Sequence, residues 1–134
     1  MRGALVELLP AGWELWLDGG PNPAAGEVLA GAAAAWHDRP LELIVGMLNT
    51  KDAGGFLAPL ARHARSLRAV TIPGEENPLP ATEIVAAAKV VGITAGESES
   101  IEAALRDIIA DEGPRRVLIC GSLHLAGVVL RENG

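Results

Sequence analysis

Short runs of leucine, isoleucine and valine alternate along this chain with alanine- and leucine-rich stretches of helical spacing, and that alternation restricts the fold more than any other feature. Leu41 to Gly46, Leu67 to Ile72 and Arg116 to Cys120 read as strands buried on both faces, with Val90 to Thr94 a weaker candidate. Between them, helical spacing covers Ala24 to Trp36, Ala53 to Ala64, Thr82 through Lys89, Ile101 to Ile109 and Leu123 to Leu130. Asn22 before Pro23, Thr82, Ser98 or Ser100, and Ser122 are placed to cap those helices. At the N-terminus, Leu5 to Leu9 and Glu14 to Leu17 flank the turn residues Pro10-Ala11-Gly12-Trp13 and predict an antiparallel hairpin. The expected fold is a single α/β domain over residues 1–134, with a mostly parallel sheet of about six strands, about five flanking helices and a hairpin at its edge.

One core suffices for 134 residues, which bury roughly two thirds of the surface of the unfolded chain. A net charge of −6, with its eleven basic residues scattered, argues against a phosphate-tracking surface and so against nucleic acid. No apolar run reaches the roughly 18 to 20 residues of a membrane span, and the first residues lack the pattern of a signal peptide, so the expected location is the cytoplasm. Cys120 is the single cysteine, which excludes an internal disulfide, and its apolar neighbours predict a buried, inert thiol. His37, His63 and His124 fall on different elements without metal-ligand spacing, so no zinc site is expected.

In parallel sheets ligands bind beyond the carboxyl ends of the strands, here the loops that begin at Asp18, Gly46, Pro73 and Gly121. The first, Asp18-Gly19-Gly20-Pro21-Asn22-Pro23, sets a carboxylate and two glycines before a helix N-terminus. Asp18 could accept from a ribose diol there, or with Asn22 simply shape the turn. In the second, Asn49-Thr50-Lys51-Asp52, Lys51 could hold a carboxylate or phosphate, while Thr50 or Asp52 could cap the next helix. The third, Cys120-Gly121-Ser122-Leu123-His124, lacks the G-x-S-x-G nucleophile elbow, and Ser122 is better read as a cap than as a nucleophile. Neither a G-x-x-x-x-G-K-[ST] phosphate loop nor a G-x-G-x-x-G dinucleotide motif occurs.

Leu-Trp-Leu-Asp-Gly-Gly-Pro-Asn-Pro at 15–23, Val-Gly-Met-Leu-Asn-Thr-Lys-Asp at 45–52 and Cys-Gly-Ser-Leu-His-Leu-Ala-Gly at 120–127 resemble, in this order, the C-terminal domain of the folylpolyglutamate synthase / dihydrofolate synthase family. That family is Mur-ligase-like: it forms an acyl phosphate from a carboxylate and ATP, which the amino group of glutamate then attacks. The resemblance implies a Rossmann-like domain that closes over the nucleotide. It implies nucleotide binding by Asp18, Gly19, Gly20 and Asn22, and glutamate positioning by Asn49, Thr50, Lys51, Asp52 and Ser122. It assigns no catalytic residue to this chain. ATP and Mg would bind together with an N-terminal ATPase domain, absent here, which carries the phosphate loop, magnesium ligands and pterin site, and folate and glutamate would be the other partners.

Pro21 stands where the family has a histidine, an inert ring in place of a side chain that can hydrogen-bond or carry charge. The expected function is therefore one domain of a folate–glutamate ligase, inactive alone. The alternative is a stand-alone, non-catalytic binding domain derived from such a ligase, and an unrelated small hydrolase is a third and weaker option. Trp13, Trp16 and Trp36 cluster in the first third, and apolar surface left where a partner domain packs would give weak self-association.

Overall fold

The computed structural model describes residues 7–18, 23–35, 39–49, 52–74, 76–111 and 113–133. Among them are β1 (Glu14–Leu17), α1 (Pro23–Ala33), β2 (Leu41–Val45), α2 (Ala53–Leu57) with a 3-10 turn (Ala58–Leu60), β3 (Ala64–Ala69), α3 (Ala81–Val90), β4 (Ala95–Glu97), α4 (Ile101–Ile109), β5 (Arg116–Cys120) and α5 (Leu123–Asn133). The strands form one sheet in the order β1-β5-β2-β3-β4. Every pairing is parallel.

Helices cover both faces. Leu29 and Ala33 of α1, Phe56 and Leu57 of α2, and Ala81, Ile84 and Ala88 of α3 pack with Leu41, Leu43, Val45, Leu67, Leu118 and Cys120 on one side. On the other, Ala104, Leu105 and Ile108 of α4 and Leu125 and Val129 of α5 pack with Ile44, Val70, Val117 and Ile119. β2 and β5 are buried along their whole length, as expected for strands with helices on both sides. Gly26 permits the tightest helix contact, since a Cβ there would sit 2.2 Å from the Phe56 carbonyl oxygen.

The expected six strands and N-terminal hairpin are not what the described residues form. There are five strands, Glu7 and Leu8 are helical, and Glu14–Leu17 pairs in parallel with β5. Leu8, Leu9 and Trp13 pack against the cluster that holds α4 and β5, while Leu5 and Val6, the rest of the expected first strand, lie outside the described residues. The strand expected at Val90 to Thr94 is instead a helix end. Gly92 at φ +89° donates to the Lys89 carbonyl and Ile93 to that of Ala88, a Schellman stop, and β4 begins at Ala95. Leu67 to Ile72 shifts to Ala64–Ala69. The helix expected from Ala53 to Ala64 tightens into a 3-10 turn at Pro59, which has no N–H for the α ladder. Thr82 lies inside α3, whose N-cap is Pro80; the Thr71 hydroxyl accepts from the Ala81 amide at 3.1 Å in its place.

Two ion-pair clusters hold the starts of the strands. Glu14 Oε1 and Oε2 accept from Arg116 Nε (3.1 Å) and Nη2 (3.2 Å), and Arg39 Nη1 donates to Oε2 at 2.7 Å. Glu42, 1% exposed, accepts from Arg115 Nη1 at 2.8 Å and from the Ser66 hydroxyl, and the same Arg115 nitrogen reaches Asp111 at 3.3 Å. The Arg116 fork, with the Trp16 indole N–H second, holds the Glu14 carboxyl below the usual carboxylate range.

Glu42→Ala is expected to cost about 3–5 kcal/mol in urea unfolding because it strips a buried cation of its main partner. The double variant Glu42→Leu/Arg115→Met recovers most of that loss; a double variant as unstable as the single would show that shape and not charge pairing sets the cost. Because the Glu14 value is lowered on folding, its stabilisation is present above the unfolded carboxylate range and is lost as pH falls through the folded value. Glu14→Gln is therefore expected to flatten the acid limb of a stability–pH curve, and an unchanged limb would contradict that assignment.

Candidate functional site

The chain leaves β1 and β2 towards the face covered by α1, α2 and α3, whereas it leaves β5 towards the face of α4 and α5. The elements that follow adjacent strands therefore lie on opposite faces on both sides of β5, the topological switch point at which parallel sheets carry a ligand crevice beyond a strand's carboxyl end. Asp18, Gly46 and Gly121 border it. The Asp18 amide donates to the Ile119 carbonyl at 3.0 Å and the Gly46 amide to the Cys120 carbonyl at 3.3 Å, so the three strand ends are tied at one level.

Asp18 is half-buried, and its carboxylate stands near enough to Cys120 to add to the effect of burial, which is the main cause that pushes that thiol far up. Cys120 is thus a core residue without nucleophilic character at neutral pH. Gly121 takes φ +106°, and a Cβ there would lie 2.8 Å from the Gly46 carbonyl oxygen and 3.0 Å from Met47 Cγ. Ser122 is buried, and its hydroxyl accepts from the Leu125 amide at 3.2 Å, the N-terminal cap of α5. Asp52 caps α2, accepting from the Gly55 amide at 2.9 Å. Asn49 is exposed beyond β2. Gly19, Gly20, Asn22, Thr50 and Lys51 lie outside the described residues, as does Pro21.

Sequence reading missed the partner of the β2 loop. The proline-rich segment after β3 returns over the end of β2, where Leu48 and Pro78 form an antiparallel bridge. The Asn49 amide donates to the Asn77 carbonyl and the Leu79 amide to that of Met47, each at 2.8 Å. The one available signal was Leu79, an apolar residue between two prolines, and it is buried. A groove of about 280 Å³ between Thr71, Ala81, Glu97 and Glu99 also opens at the strand ends, on the β3–β4 side. No group of three or more metal-ligating side chains gathers among the described residues, and none of the described helices is long and apolar enough to cross a membrane.

No protein-family model matches the sequence, and no curated protein matches it significantly. Solved structures do. An Escherichia coli FolC complex with DHPP and ADP superposes with a TM-score of 0.78 over 98% of this chain and 31% of its own, at 23% identity. Mycobacterium tuberculosis folylpolyglutamate synthase with ADP gives 0.75 over 87% of this chain and 29% of its own, at 26% identity. The chain resembles one domain of a folylpolyglutamate synthase. The bifunctional folylpolyglutamate synthase/dihydrofolate synthase of Yersinia pestis, complexed with AMPPNP and Mn ion, gives 0.71 over 87% of this chain and 28% of its own, at 28% identity. This chain spans about 30% of those synthases, in keeping with a C-terminal domain.

Gly121→Ala is expected to destabilise the domain by at least about 1 kcal/mol more than Gly92→Ala, since both positions have positive φ but only Gly121 also meets the Gly46 backbone. Urea midpoints compare them. Equal losses would mean that backbone strain alone, and no close approach of β2 and β5, demands glycine at 121.

Proposed function

We propose that this chain is the C-terminal domain of an ATP-dependent folate–glutamate ligase, helping to bind ATP and to place glutamate for attack on an acyl phosphate, and inactive without an N-terminal ATPase domain. The observation that carries this reading is the likeness, at 26–28% identity, to synthases solved with ADP or with AMPPNP and Mn ion. A related bifunctional synthase is also solved with L-glutamate bound.

Asp18 fits the nucleotide role chemically: its carboxyl oxygens can accept, a ribose diol donates, and Asp18 stands at the switch point where parallel sheets bind ligands. Gly19, Gly20 and Asn22 follow it on the way into α1 and belong to the same proposed nucleotide site. Asn49, Thr50, Lys51 and Asp52 border the proposed glutamate site, where Lys51 supplies the positive charge and Asp52 fixes the start of α2. Ser122 acts from below, by holding the first turn of α5. Mg, as the resemblance implies, would be held with the nucleotide phosphates by the N-terminal ATPase domain.

A second reading, a stand-alone binding domain derived from such a ligase, draws on Pro21. An upstream reading frame encoding a phosphate loop favours the ligase, and a frame that begins at Met1 favours the binding domain.

The purified chain with ATP, folate and L-glutamate is expected to yield no product; turnover by the chain alone would end the ligase-domain reading. ADP binding to it is expected to be weak, and Asp18→Asn to weaken it by a further factor of about ten, as for loss of a hydrogen bond to a charged group. Unchanged affinity would remove Asp18 from the nucleotide site.

A further inference from the structure

We propose that the strap Asn77–Leu79 positions the loop after β2, and through it the geometry of the proposed glutamate site, although the strap contributes no side chain to that site. The inference rests on the ligase-domain reading of Asn49 and Asp52.

Two independent anchors bracket the loop. At its far end, Asp52 is locked to α2 by its side chain, which accepts from Gly55, and by its carbonyl, which accepts from the Phe56 amide at 3.0 Å. At its near end, Asn49 has no strand neighbour within the sheet, because β2 stops at Val45. Its amide is held by the Asn77 carbonyl, and the next bond of the same short ladder runs from the Leu79 amide to the Met47 carbonyl. Only two residues separate the anchors. A displacement of the strap therefore has little chain over which to dissipate before it reaches Asp52.

The strap is itself rigidly founded. Leu79 is 7% exposed and belongs to the core under α3, Met47 is fully buried, and α3 starts at Ala81 with its first amide on the Thr71 hydroxyl. Pro78 and Pro80 on either side restrict the backbone further. Met47, whose carbonyl accepts from the Leu79 amide, has its Cγ 3.0 Å from where a Cβ on Gly121 would be, so the residue the strap holds also meets the end of β5. Main-chain bonds carry the contact between the strap and the β2 loop.

Leu79→Pro removes the amide donor together with the buried side chain, whereas Leu79→Ala removes the side chain and keeps the donor. Amide hydrogen exchange by NMR on the full chain separates them. Relative to the β5 amides of the same variant, exchange at the Asn49 amide is expected to accelerate about tenfold more in Leu79→Pro than in Leu79→Ala, the equivalent of one main-chain hydrogen bond. Titration with L-glutamate is expected to shift the Asn49 and Asp52 amides of the wild-type chain, with an apparent Kd about tenfold higher in Leu79→Pro than in Leu79→Ala. Should Leu79→Pro not fold, insertion of two glycines between Asn77 and Pro78 keeps every side chain and makes the same comparison. Equal exchange at Asn49 in the two variants, or equal glutamate affinity, overturns the proposal. If L-glutamate shifts no amide of the wild-type loop, the glutamate site and its proposed positioning both fail, whereas shifts in the wild type that are unaltered by loss of the strap sink the positioning alone.

Discussion

Strand β5 is the last of the sheet to be made and lies between β1 and β2, and the rest of the architecture depends on that insertion. Glu14 pairs with Arg116 across about a hundred residues of intervening chain, so the sheet closes only when its two sequence extremes meet. Contacts of such long range are entropically costly to form first, and they reward the chain only once the helices have covered both faces. β5, like β2, is accordingly buried along its whole length, and the element that follows it lies on the face opposite to those that follow both neighbours, which makes it the switch point of the sheet.

The ion-pair clusters and the proposed ligand site lie at opposite ends of this sheet. The Glu14–Arg116–Arg39 and Glu42–Arg115–Asp111 clusters sit at the strand starts, where they pin β1, β5 and β2 in register. Buried pairs of this sort contribute little net free energy against a well-packed apolar replacement, yet they are costly to break singly and so favour one register. At the carboxyl ends the contacts are of a different kind: main-chain bonds among Asp18, Gly46 and their neighbours, close approach at Gly121, and helix caps from Asp52 and Ser122. Those contacts fix where the loops begin.

Capping and ligand positioning need not compete in such a site. Asp52 and Ser122 have side-chain oxygens engaged by Gly55 and Leu125, which sets the first turns of α2 and α5 beside the crevice. Residues that look chemical in the sequence can thus act by orienting a helix start.

Much of this was readable in the amino-acid sequence, because periodicity and cap chemistry are local properties. β2 and β5 appear where continuous apolar runs require burial on two faces, α4 begins at Ile101 behind Ser100, one of the two serines placed to cap it, and Asp18, Gly46 and Gly121, where three of the loops begin, do lie at one end of one sheet. The order of three loop motifs also marked the likeness to the synthases. Pairing partners were not legible. Whether Glu14–Leu17 folds back on the preceding residues or joins β5 depends on which apolar surface its neighbours find, and Leu8, Leu9 and Trp13 found the sheet face. Val90 and Val91 suit a strand as well as a helix end until Gly92 turns the chain. The clasp of Asn77–Leu79 on the β2 loop runs through backbone groups, which every residue but proline carries alike, so side-chain identity determined the elements and only the tertiary structure decided which of them meet.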